Sequence, residues 1–273
     1  MTADGHTDFV NSARTWLSKH ILHKIIYRHF AKTLEPCTEK FFGVTPLRVV
    51  FFRDVYGIDE KKLDLLVLGM DDSETDLGQR DSIRNETRKR IGVQPDDFVI
   101  ICGGKIDKRK NIHVLLEAYS QLKTSSAHSS TKLVIFGVPT EEMSYLTEQM
   151  AAQKDIIYLG WLNPGDVNPY ILASDLACFP GTHSVLWEQV VGLGVPALFR
   201  RWKGMEHVDV GGNCLFLEED GVAALTNALK KIINDKDVYS AMMDVARSRG
   251  TDEFSYYRIA SQAIGQETTK VKP

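Results

Sequence analysis

The sequence predicts an α/β fold built on a parallel sheet, and three observations predict it. From Phe98 onward, short apolar runs alternate with helical patterns at the spacing of βαβ units. Those runs are continuously apolar, as strands buried on both faces must be. The stretch Phe179–Pro196, FPGTHSVLWEQVVGLGVP, reads as a strand end, a Pro180-Gly181 turn, a polar loop and a helix stopped at Gly194. Such a unit brings its loop to the carboxyl edge of the sheet, where ligands bind.

Taken in order, the polar residues 1–11 read as a frayed terminus with no room for a strand ahead of them. Over 12–34, Trp16, Leu17, Ile21, Leu22, Ile25, Ile26 and Phe30 recur at helical spacing. Opposite them stand Arg14, Lys19, His20, His23, Lys24, Arg28 and Lys32. Two readings stay open for this helix: a solvated face on an element packed against its own domain, or peripheral contact with an anionic membrane surface. The runs 47–52 and 63–68 read as two buried strands, with a helix or turn at 54–56, the breaker Gly57 between them, and a polar interdomain linker at 70–79. A charged helix follows at 81–90. Strands are then expected at 98–102, 133–136, 156–159, 176–179 and 197–199, with helices at 112–122, 142–152, 167–173, 222–233 and 238–248. The expected division is 1–72, a partial first domain with its linker, then 73–250, a complete α/β domain, then 251–273.

Hydrophobic residues make up 43% of the chain, enough for a real core, and a net charge of −3 excludes global attraction to nucleic acid. The four cysteines lack metal-ligand spacing and read as buried thiols in a reducing compartment. No stretch is apolar for long enough to span a bilayer, so the expected location is cytoplasmic, with membrane association left open through the basic helix.

Chemistry concentrates in two loops. In 103–111, GGKIDKRKN, the glycines permit a sharp turn, and Lys105 and Lys110 stand just before a helix amino terminus, a setting that suits a diphosphate. The pattern is neither a dinucleotide fingerprint nor a P-loop. In the second loop, Glu188 sits near the start of a helix beside His183 and Ser184, where a carboxylate can accept from sugar hydroxyls.

At these loops the sequence resembles the carboxy-terminal domain of a family 4 (group 1) glycosyltransferase with the GT-B fold. The matching pieces are ICGGKIDKRKNIHVLLEA (101–118), LVIFG (133–137), IYLGW (157–161), ASDLACFP (173–180) and EQVVGLGVP (188–196), with DVYG (54–57) and LVLGMD (66–71) upstream. The resemblance implies a Rossmann-like donor-binding domain preceded by a partial second Rossmann-like domain, and a last helix crossing back to the first domain. It implies transfer of a sugar from a nucleotide-diphosphate donor to a hydroxyl acceptor with retention, in polysaccharide or glycoconjugate synthesis. The implied partners are the nucleotide sugar and a glycan or lipid-linked acceptor, with no cofactor beyond the donor and no metal.

Position by position, the resemblance places Gly104, Lys105 and Lys110 at the donor diphosphate, Glu188 at the ribose, and the amides around Ser184 and Val185 at the phosphates. Lys105 stands where the family usually carries arginine, which keeps the charge without the bidentate fork. The first glutamate of the family's pair is replaced by Pro180, leaving His183 as the nearest ionisable group. Asp4-Gly5-His6 resembles a strand end where the family often places a histidine facing the donor sugar, so His6 and His183 are the candidate catalytic residues. Two other readings remain: a degenerate module that binds a nucleotide or a partner without catalysis, and a sugar-nucleotide epimerase of shared architecture.

Overall fold

A computed structural model of the chain describes residues 1–9, 12–13, 15–73 and 75–265. The chain divides into two compact units. One comprises residues 1–68, 203–207 and the segment from Tyr256; the other comprises 69–202 and 208–255.

The first unit carries a three-stranded parallel sheet, β1 (Thr2–Gly5), β2 (Lys40–Gly43) and β3 (Leu63–Leu65), in that order. The amino terminus is therefore not frayed over its first residues: β1 pairs in register with β2, Thr2 opposite Lys40 and Gly5 opposite Gly43. The run 47–52 is not a strand. Thr45 is extended and Pro46 opens a helix, α2 (Pro46–Phe51), which continues with wider turns through Tyr56 and stops at Gly57 (φ 68°). Phe51, Phe52, Val55 and Tyr56 share one helical face and pack with Phe41 of β2, so helical spacing prevailed over the strand propensity of Val49 and Val50.

Between β1 and β2 runs a helix over 16–34. Its middle, Ser18–Tyr27, has the wide turns of a π-helix, and α1 (Arg28–Leu34) continues it. The expected faces are corrected here. His23, assigned to the solvated side, is 1% exposed, its ring bonded to Ser12 Oγ (3.0 Å) and Tyr56 OH (2.9 Å). Trp16, assigned to the packed side, is 71% exposed. Wide turns advance each residue by a smaller angle than α turns, which rotates the apolar positions away from the core. Arg14, on the predicted basic face, and Val10 and Asn11 of the predicted frayed terminus lie outside the described residues.

The second unit is a six-stranded, wholly parallel sheet in the order β6-β5-β4-β7-β8-β9. Its strands are β4 (Phe98–Gly103), β5 (Thr131–Phe136), β6 (Ile156–Tyr158), β7 (Leu176–Phe179), β8 (Ala197–Arg200) and β9 (Cys214–Leu217). Connecting and closing helices are α3 (Arg80–Arg90), α4 (Ile112–Lys123), α5 (Tyr145–Ala151), α6 (Val167–Ala173), α7 (Leu186–Gly192), α8 (Val222–Asn234) and α9 (Lys236–Val245). The chain winds outward from β4 to β6, then returns to β7 and winds the other way. The winding reverses between β4 and β7, the point where ligands bind at the carboxyl edge of open α/β sheets.

The amino edge of the same two strands is fastened by Asp175. Its carboxylate pairs with Arg84 (2.5 Å) and Arg88 (2.6 Å) of α3 and accepts from the Val99 amide (2.7 Å). Met70, expected in a linker, is 1% exposed and its amide donates to the Phe254 carbonyl, so the polar stretch from 70 begins inside the second unit. The last helix, Tyr256–Ala263, groups with the first unit, where Gln262 donates to the Leu65 carbonyl (2.9 Å).

Candidate functional site

The loops after β4 and β7 flank the switch point, and they hold nearly every predicted donor-site residue. After β4 the backbone turns at Gly104 (φ +99°). Asp107 then caps the short 3₁₀ turn Lys108–Lys110 by accepting from the Arg109 amide (3.0 Å). Asn111 adopts the left-handed conformation (φ 54°), which asparagine tolerates, and so redirects the chain into α4. Lys105 is exposed on this loop.

The second loop lies directly against the first. Asn111 Nδ2 donates to the Pro180 carbonyl (3.1 Å) and the Thr182 amide donates to the Arg109 carbonyl (3.0 Å). Lys110 Nζ donates to the carbonyls of Thr182 (2.8 Å) and His183 (3.1 Å). The approach is so close that a Cβ on Gly181 would stand 2.4 Å from the Arg109 carbonyl oxygen and the Lys110 backbone. From β8's end, Trp202 Nε1 donates to the Gly181 carbonyl (3.1 Å).

His183 connects this cluster to the predicted ribose carboxylate. Its Nε2 lies 2.7 Å from Glu188 Oε1, and Glu188 is wholly buried. The imidazole packs edge-on against Trp187, whose ring stacks on Phe199 of β8 (4.4 Å). Ser184 accepts from the Trp187 amide as α7 begins, and Val185 is 45% exposed at the turn. Lys110, Ser184, Val185, His183 and Glu188 thus share one rim, with Lys110 and Glu188 bridged through a single residue.

Burial lowers the Lys110 pKa, with nearby Asp107 opposing the shift. Beneath the loop, burial pushes the Cys102 thiol up to about 12, which makes it a packing group at neutral pH and not a nucleophile.

His6 belongs to the first unit. It follows the end of β1, half exposed, with Nε2 2.9 Å from Asp4 Oδ2. Sequence reasoning missed Asn111, Thr182 and Trp202, which tie the two loops together. An asparagine just before a helix was a readable signal for the first; nothing local marked the others.

Residues 83–249 match the family described as glycosyl transferases group 1. The chain belongs to this family. Among curated relatives, the group 1 chain is 20% identical to the lipopolysaccharide glucosyltransferase WaaG of Escherichia coli K12, over 81% of this chain and 61% of that protein. It is 25% identical to the N-acetylgalactosamine-N,N'-diacetylbacillosaminyl-diphospho-undecaprenol 4-alpha-N-acetylgalactosaminyltransferase of Campylobacter jejuni, over 77% of this chain and 54% of that one. Among solved structures it resembles Anabaena Alr3699/HepE in complex with UDP, with a TM-score of 0.71 and 17% identity, covering 91% of this chain and 69% of the other. The group 1 chain has the GT-B fold, α/β with parallel Rossmann-like sheets. It spans about half the length of the curated relatives it matches.

Proposed function

We propose that this chain binds a nucleoside-diphosphate sugar at the β4–β7 switch point and takes part in transferring that sugar, with retention, to a hydroxyl on a glycan or lipid-linked acceptor in glycoconjugate synthesis. The observation that carries the reading is the joined pair of loops, which brings an ammonium group and a carboxylate to one sheet edge.

In this reading Lys110 has two tasks. Two of its three ammonium protons hold the Thr182 and His183 carbonyls, and the third is left for a phosphate oxygen. Fixing the cation beforehand means that little reorganisation is needed when charge grows on the departing diphosphate. Lys105, with the Gly104 turn beneath it, supplies a second cation from solvent, and the amides around Ser184 and Val185 complete the phosphate cradle. The donor is the only small molecule invoked.

Glu188 accepts from the ribose hydroxyls. Sealed from solvent beneath His183, it becomes available when that imidazole turns aside, so His183 is a gate to the ribose position before it is a sugar contact. His6 is assigned to the sugar side by family resemblance alone.

One observation favours the non-catalytic alternative: Pro180, itself buried, occupies the position of the family's first paired glutamate. Incubation with a panel of nucleotide sugars separates the two. Slow donor hydrolysis or transfer marks an enzyme, binding with no turnover marks a module, and absence of nucleotide binding refutes both.

A further inference from the structure

The helix over 16–34 in the first unit buries little of itself. Inward it presents His23 and Ala31, 1% and 8% exposed. Elsewhere it shows solvent a series of large apolar side chains: Trp16 (71%), Leu17 (57%), Ile25 (62%), Ile26 (38%), Phe30 (59%) and Leu34 (49%). Single exposed apolar residues need no explanation, but a contiguous face of them on one helix marks an interaction surface.

The charges say what kind of surface. The chain carries a net charge of −3, yet residues 15–34 contain four lysines and arginines and no carboxylate. Lys19, Lys24, Arg28 and Lys32 recur every four or five residues along the helix as a basic row, and Leu17, Leu22, Ile26, Phe30 and Leu34 recur beside them. The basic row is partly braced internally. Lys32 Nζ pairs with Glu35 (2.6 Å) and the Gly57 carbonyl (2.8 Å), Arg28 reaches the Val55 carbonyl (3.5 Å), and Lys19 lies 5.2 Å above the Phe9 ring. Those contacts hold the cations along one flank and leave the apolar row outside.

A dry protein interface would have to strip water from this cationic row, whereas the headgroup boundary of an anionic bilayer accepts both rows at once. Acyl chains receive the apolar side chains, phosphates meet the ammonium groups, and a tryptophan near one end is a favoured interfacial anchor. We propose that the helix over 16–34 lies in the surface of an anionic lipid bilayer. The inference is independent of whether the second unit transfers sugar.

The test is co-sedimentation of the full chain with phosphatidylcholine vesicles, with and without phosphatidylglycerol. Binding is expected only when the anionic lipid is present, and it should weaken as salt is raised. Replacing two cations, in Lys19→Gln with Lys24→Gln, should weaken binding about thirtyfold. Ile25→Ser with Phe30→Ser should abolish it. Both pairs should melt as the unaltered chain does, and they perturb independent features, so either alone decides the matter. Absent or equal binding to the two vesicle types overturns the proposal. So does a dimer in solution that Phe30→Ser dissociates, because a second copy would then be the occupant.

Discussion

The close approach of the two candidate-site loops makes a specific demand on Gly181. A Cβ there would sit 2.4 Å from Arg109 and Lys110 backbone atoms, whereas ordinary contact begins near 3.4 Å, so Gly181→Ala must separate the two loops by about 3.4 − 2.4 = 1.0 Å. The conflict is with backbone and cannot be relieved by a rotamer change. A separation of that size takes the Thr182 amide out of reach of the Arg109 carbonyl, now at 3.0 Å, and strains the Lys110–Thr182 bond, now at 2.8 Å. A neutral hydrogen bond contributes about 1 kcal/mol and one to a charged group about 1.5–3 kcal/mol, so stability should fall by roughly 2–4 kcal/mol. Loosening the Lys110 ammonium should weaken nucleoside-diphosphate binding roughly ten- to hundredfold. Titration calorimetry with uridine and guanosine diphosphates, beside thermal melts, reads both effects. Unchanged affinity together with an unchanged melt would show that the loops do not need this contact, and the account of the site would fall.

Three more outcomes follow from the geometry. Lys110→Ala should weaken nucleotide binding far more than Glu219→Ala, a change at an exposed position; equal effects by calorimetry remove Lys110 from the site. Asp175→Ala leaves Arg88, 4% exposed, without its carboxylate and should cost about 3–5 kcal/mol, roughly 6–20 °C in Tm; an unshifted melt contradicts the clamp. Hydrogen bonding to Lys132, helped by Lys123, holds the Asp155 carboxyl below its ordinary value of 3.8. A depressed folded-state pKa stabilises above the unfolded value and is lost as pH falls through the folded one. Melts of the unaltered chain and of Asp155→Asn should therefore differ at pH 7 and converge in strong acid; a constant difference contradicts the assignment.

The second unit was legible because each of its strands is a short apolar run closed by a turn residue, and period and punctuation agreed. Strand β9 escaped: Cys214–Leu217 is brief and lies between Gly211-Gly212 and the acidic residues 218–220. The first unit was harder to read. Val49, Val50, Phe51 and Phe52 favour a strand locally, and only Pro46 with the spacing of Phe51, Phe52, Val55 and Tyr56 pointed to a helix. The π-helical turns shifted the predicted faces of 16–34, burying His23 and exposing Trp16 while Lys24, Arg28 and Lys32 stayed exposed, an effect no α-helical periodicity can anticipate. At the site, Lys110 and Glu188 could be placed at one sheet edge from the strand–loop–helix pattern. Their bridging through His183, and the tethers from Asn111, Thr182 and Trp202, depend on long-range contact between loops some seventy residues apart.

A structure of the chain with bound uridine or guanosine diphosphate bears most directly on the central claim. The account predicts phosphate oxygens within hydrogen-bonding distance of Lys110 Nζ, the ribose hydroxyls on Glu188, and the His183 ring swung off that carboxylate. A diphosphate bound elsewhere on the second unit, with the His183–Glu188 contact unbroken, would contradict it.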